Sequence, residues 1–246
     1  MARKSSRPPR PPRPAAPRTG TGPSAAGGDR ERIVAAFMAL LAEEPIERIG
    51  FAEIAERAGV TLAQLRGAFG SPLAILAAHL KDVDRSVLAE DFSDMTEEAP
   101  RERLFDVLMR RLEILTPHRA AVRSLLRSAR RHTALALALN AFAVRSQKWM
   151  LTAAGINASG PRGAVRAQGL ALLFSSVLRT WIRDDDPGLA RTMAALDRAL
   201  ARGQRLVGFL DDIFFIPSQL CRLRQRRRRR HSDYDDYDGS EKPATA

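Results

Sequence analysis

The stretch Gly50 to Ser71, GFAEIAERAGVTLAQLRGAFGS, reads as two short helices joined by a tight turn. Phe51, Ile54, Ala55 and Ala58 stand at i, i+3, i+4 and i+7, one apolar face of a first helix. Gly59 follows where a helix end needs positive φ, which glycine adopts without a Cβ penalty. Val60 is a small apolar plug for the crevice between the two helices, and Thr61 N-caps the second through its hydroxyl. Leu65 and Phe69, four apart, return that helix to the same core. Gly70, Ser71 and Pro72 then read as a C′ glycine, a serine N-cap and a proline at the first helical position of the next helix. Two helices about a glycine turn are the layout of a helix-turn-helix, whose second helix enters the DNA major groove.

Upstream, Ile33, Ala36, Phe37, Leu40 and Leu41 share one face of a helix predicted over Asp29–Glu43. With IAERAGV and the Leu65, Phe69, Gly70, Ser71 series, Ile33 to about Leu88 resembles the N-terminal domain of the TetR family of bacterial transcriptional regulators. The resemblance implies an all-α fold. A three-helix helix-turn-helix head would precede a helical ligand-binding and dimerisation body, with about nine helices in all. Where that family carries LYxxF late in the recognition helix, this chain has LRGAF, with Arg66 and Gly67. A second resemblance is to the lipid-binding accessory proteins of ubiquinone biosynthesis, which share the fold without acting as repressors. It rests on ERLFDVLMRR, Glu102 to Arg111, and on RTWIRDDDPGLARTMAALDRAL, Arg179 to Leu200.

The residues of the second helix not needed for packing are Thr61, Leu62, Gln64 and Arg66, and Arg57 at the end of the first helix joins the set. Glutamine bonds adenine bidentately, and arginine reaches guanine or a phosphate. The alternative is a solvated face on a head that has lost DNA binding. Charge bears on this choice. The chain carries +12 at pH 7, but six of its basic residues, Arg3, Lys4, Arg7, Arg10, Arg13 and Arg18, lie in residues 1–28 without one acid. Residues 29–70 hold five arginines against seven acids. The high isoelectric point therefore belongs mostly to the tails.

Residues 1–28, rich in Pro, Arg, Gly and Ser, read as a disordered basic arm: either a solubilising tail or an arm that follows DNA phosphates. A helix predicted from Pro72 to about Glu90, with Leu73, Leu76, Leu80, Val83 and Val87 at spacings of three and four, joins head to body as a lever. Asp91–Ala99 is a polar loop at the domain boundary. The head with its connecting helix thus covers 29–90 and the body 100–216. Body helices are expected over Pro100–Leu115, His118–Arg131, Thr133–Ala154, Ala164–Arg183 and onward from Asp186-Pro187. The run TALALALNAFAV is apolar nearly all round, which predicts burial at the centre. Met193 is expected in the core with Leu189, Leu196 and Leu200.

A small apolar effector, which the first resemblance implies, would sit among Leu108, Leu112, Phe142, Trp149, Met150, Phe174, Leu178 and Trp181, with Asn140 or Gln147 as polar contacts. The alternative is that these residues fill the core. Arg205–Pro217 is strongly apolar and an arginine run to Arg230 follows. Such a pair lies on an anionic membrane surface or packs on the body or a dimer interface. Residues 217–246, Arg-rich and then acidic, read as a disordered tail.

Cys221 is the single cysteine, which excludes an internal disulfide and fits a reducing, cytoplasmic setting. The basic N-terminus lacks an apolar h-region, and no apolar run reaches the ~20 residues that cross a bilayer. His79, His118, His132 and His231 show no ligand spacing with one another or with Cys221, so no metal or cofactor is expected. Neither a phosphate loop after a strand nor a serine elbow is present. Asp184–Asp186 reads as a helix cap. The sequence therefore points away from an enzyme. It leaves two functions: a homodimeric DNA-binding regulator, acting as a repressor on double-stranded DNA, or a lipid-binding accessory protein held at a membrane surface by its C-terminal segment.

Overall fold

The computed structural model of the chain describes residues 23–90 and 97–203, and every regular element among them is helical. In order these are α1 Pro23–Glu43, α2 Phe51–Ala58, α3 Leu62–Ala68, α4 Pro72–Leu88, α5 Pro100–Leu115, α6 Arg119–Ala129, α7 Thr133–Ala153 and α8 Gly160–Trp181. A further helix, α9, is described over 190–203. A 3-10 turn, Thr116–His118, links α5 to α6. The N-terminal arm before residue 23, the loop at 91–96, the apolar-then-arginine segment and the acidic tail lie outside the described residues.

The head is built on α1. Ile33, Phe37, Leu40 and Leu41 have at most 1% of their surface exposed and meet Ile54 of α2, Leu65 of α3 and Ile75 and Leu76 of α4. This core continues into α6, whose Ala121 and Leu125 are buried in the same cluster. Polar bonds reinforce the join. Ser124 donates to the Glu44 carbonyl at 3.0 Å, Ser128 to the Glu47 carboxylate at 3.0 Å, and His132 Nε2 lies 3.1 Å from the same carboxylate. The head therefore sits on α6 through a continuous apolar seam with a hydrogen-bonded rim.

Val83 and Val87 of α4 cross into the body core, joining Leu108 and Leu112 of α5, Met150 of α7, Phe174 and Trp181 of α8 and Leu196 of α9. Inside this core Arg111, 4% exposed, is ion-paired with Asp84, which also accepts from the Ser146 hydroxyl at 2.6 Å. The guanidinium lies 5.8 Å from the Phe174 ring centroid. A buried charge of this kind is tolerable only because each member has a partner. Asn140 of α7 and Gln168 of α8 exchange amide hydrogen bonds at 3.0 and 3.1 Å, which sets the register of those two helices.

Several expectations are corrected. The first helix begins at Pro23, not Asp29, so the last six residues read as part of the basic arm are helical; a proline at the first position needs no amide partner. Phe51 is 42% exposed, because the stripe of α2 that reaches the core starts one turn later, at Ile54. Gly70 is not left-handed: α3 ends at Phe69 in extended backbone, φ −141° and ψ 141°, which drops the ring into the head core. Met193 is 42% exposed while Leu189, Leu196 and Leu200 are buried.

The largest correction concerns TALALALNAFAV. Its half of α7 is not central: the buried residues of that helix are Ser146, Gln147, Met150 and Leu151, all in the other half, and Leu137 is 66% exposed. Leu139 and Phe142 reach the head core on one side, while Leu137 on another is left exposed among the described residues. α8 also starts four residues earlier than expected. It does so because Gly163 lets the backbone of Ala158 approach to within 2.1 Å of where a Cβ would stand. Asp186 accepts from the Gly188 and Ala190 amides, capping α9, and Asp184 accepts from Thr192. The Thr192 bonds hold the Asp184 carboxyl below the usual carboxylate range.

Candidate nucleic-acid interface

The α2–α3 corner forms as its local chemistry dictates. Gly59 adopts φ 63° and ψ 39°. Its amide bonds the Glu56 carbonyl and that of Val60 bonds the Ala55 carbonyl, closing α2 with the paired bonds of a Schellman end. Val60 packs partly buried against the head core. Thr61 caps α3 by accepting from the Gln64 amide at 3.2 Å, and Ser71 caps α4 by accepting from the Ala74 amide at 3.1 Å.

The five residues expected to contact DNA divide sharply. Gln64 is committed internally: its Oε1 accepts from the Thr61 amide at 2.8 Å and the Thr61 hydroxyl at 2.9 Å, and its Nε2 donates to Asp29 at 2.9 Å. This is a capping box, extended to tie α3 onto α1. Arg57 grips Glu43 with two bonds of 2.9 and 2.8 Å, and holds that carboxyl below its ordinary range. Thr61 is occupied by the cap. Leu62, 55% exposed, and Arg66 remain free to meet a ligand, together with Ala63 and Gly67 on the same exposed face. Sequence reasoning passed over Ala63, although it flanks Leu62. The Thr61 cap forms as expected; the reciprocal bond from Gln64 was not foreseen, although threonine followed three residues later by glutamine is the signature of a capping box.

This face is low and mostly apolar. Leucine and alanine suit the thymine methyl in the major groove, and a lone arginine suits guanine or phosphate. Arg66 lies back over Gly70, its terminal nitrogen 3.5 Å from where a Cβ at Gly70 would stand. At Gly67 no atom stands within 4 Å of a Cβ position, so α3 presents an open notch there. Acids line the α1–α2 side: partial burial, and then the neighbouring Glu53, raise the Glu44 carboxyl above its usual range.

The eight residues expected to line an effector pocket are also divided. Leu108, Leu112, Met150, Phe174 and Trp181 are packed in the body core at 0–5% exposure, with Leu178 partly buried against them. Phe142 and Trp149 instead face a cleft of about 460 Å³ between head and body. Asn140 is paired with Gln168, and Gln147 is 1% exposed with an unpartnered Oε1. At the junction, His79 of α4 meets His118 edge-on, ring centroids 4.5 Å apart. Burial, and then the neighbouring His118, push the His79 pKa down to about 4; burial also lowers that of His118.

The frame is a helix-turn-helix head seated on an all-helical body. No protein-family model matches the sequence, and no curated protein matches it. Solved structures do. A TetR transcriptional regulator from Nitrosomonas europaea is 20% identical, with 71% of this chain and 97% of that chain covered at a TM-score of 0.55. A TetR transcriptional regulator from Rhodococcus sp. RHA1 is 21% identical over 72% of this chain and 96% of that one, at a TM-score of 0.52. The chain has the TetR regulator fold. None of its described helices is long and apolar enough to cross a membrane.

Proposed function

We propose that the chain is a homodimeric DNA-binding transcriptional regulator, a repressor whose operator affinity responds to a small apolar effector. The observation that carries this reading is the α2–α3 corner. Its turn and cap are fully formed, and they present Leu62, Ala63, Arg66 and Gly67 outward from a rigid head. The dimer is supported by apolar surface that the described residues leave bare: Val165 and Leu172 on α8 are 55% and 59% exposed, and Met193 on α9 is also exposed. Four helices, α8 and α9 from each copy, would bury it. Effector binding would act by favouring one spacing of the two heads, by as much as its affinity for the two states differs.

The test is selection of bound fragments from a sheared genomic library at about 150 mM salt, because phosphate contacts dominate at low salt. The full chain and a form lacking residues 1–22 should enrich the same short palindrome. Arg66→Ala should lose that enrichment while keeping the fold. Sedimentation should show a dimer that Leu172→Glu converts to a monomer. Fragment binding without sequence preference, lost with residues 1–22, would overturn the reading.

A second reading has one observation in its favour. The internal bonds of Gln64 and Arg57 leave one cation on the α3 face, in a head with more acids than bases. A lipid-binding accessory protein on the same fold needs no more. Co-sedimentation with anionic vesicles, lost on truncation after Arg202, would favour it over the regulator.

A further inference from the structure

The cleft between head and body holds more than the two aromatics expected to line a pocket. Its walls come from α1, α7 and the end of α3 with the adjoining α4. Phe69, at the end of α3 and 5% exposed, lines it together with Phe142 and Trp149 of α7 and a floor supplied by α4. The first half of that floor is Ala74, Ala77 and Ala78, at spacings of three and four, so this part of α4 presents only methyl groups, with Leu80, Lys81 and Asp84 following on the same helix. The volume of about 460 Å³ falls in the range of small-molecule sites. Trp149 is 55% exposed here, whereas the other tryptophan, Trp181, is fully buried.

The charge around this apolar floor is one-sided. Arg30 of α1, Lys81 of α4 and Arg145 of α7 border it. Among the described residues no ion pair involves any of the three; Arg30 stacks over Phe69, 5.0 Å from the ring centroid. The single lining carboxylate, Asp84, is already held by Arg111 and Ser146 and offers a cationic ligand nothing. Three cations at the rim of an aromatic slot complement an anion attached to an apolar body.

We propose that the head–body cleft binds an amphiphilic carboxylate, its chain lying between Phe69, Phe142 and Trp149 and its carboxylate meeting Lys81 and Arg145. The site lies apart from the body core, where Leu108, Met150, Phe174 and Trp181 fill the space. A ligand there touches α1, α3, α4 and α7 together and so favours one placement of head on body. Only that consequence rests on the regulator reading; the binding itself does not.

The experiment uses the full chain, with decanoate as probe and decanamide as its neutral counterpart. Tryptophan emission and calorimetry are both recorded. Saturable one-to-one binding of decanoate, with a change in Trp149 emission that Trp149→Phe removes, is expected. Lys81→Ala and Arg145→Ala should each weaken it by about tenfold, and Ala77→Leu, which fills the floor, should abolish it. Absence of saturable binding up to about 1 mM decanoate would overturn the proposal, because an affinity weaker than that leaves under ~4 kcal/mol. So would equal affinity for decanamide, or indifference to both cation variants. Decanoate binding in a protein that selects no palindrome would support this site while removing the regulator reading, so the two stand or fall separately.

Discussion

Gln64 makes three internal contacts, which give its side chain a structural role in capping α3 and tying it to α1. Losing an N-cap interaction costs about 1 kcal/mol. Thr61→Ala and Gln64→Ala should therefore each lower unfolding stability by about 1–2 kcal/mol in urea, whereas Arg66→Ala should stay within about 0.5 kcal/mol. Equal losses in all three would contradict the division of roles. His79 carries a second prediction. The unfolded imidazole takes up a proton near its ordinary value, and the folded one only near 4. Between those values the unfolded state binds more protons, so stability is full above the upper one and falls as pH drops toward the lower. The loss should total on the order of 3 kcal/mol, and urea midpoints measured from pH 7 to pH 4.5 should fall less steeply in His79→Phe. The cap was legible as a T-x-x-Q pattern, but Asp29 as its third partner was not: thirty-five residues separate Asp29 from Gln64, and only the crossing of α1 and α3 joins them.

Two glycines set opposite expectations for the elements that hold them. Gly67, exposed in α3 with nothing near its Cβ position, should tolerate alanine with a gain of up to about 1 kcal/mol from helix propensity. Gly163 abuts the Ala158 backbone, and Gly163→Ala should cost about 1–3 kcal/mol by overpacking the start of α8. Thermal unfolding of the two variants checks the sign of each. At this scale the helices themselves were readable from periodicity and caps: Pro100–Leu115 falls where its apolar spacing placed it. α7 was not. Its apolar surface all round specifies burial but not by what, and among the described residues it is only partly covered.

For the molecule as a whole, the core shared by α1 and α6 predicts that head and body unfold as one cooperative unit. Leu125 sits 7% exposed in the head core although it belongs to a body helix. Leu125→Ala should cost about 2–4 kcal/mol without splitting the transition in two. Both tryptophans, Trp149 and Trp181, lie in the body, so their fluorescence should report the same urea midpoint as far-UV circular dichroism of all helices. Separate midpoints would show that the seam between α1 and α6 does not couple the two parts.

By itself the sequence determined the helical class, the helix-turn-helix with its glycine turn and threonine cap, and most helix positions in the body, because these follow from neighbours three and four residues away. The tertiary structure decided which of those side chains stay free. It bound Gln64 and Arg57 to partners on α1, set Leu139 and Phe142 of α7 on the head core while leaving Leu137 exposed, and brought Arg30, Lys81 and Arg145 to one cleft. Each of these depends on how helices far apart in the chain cross, and that geometry has no signature in local spacing.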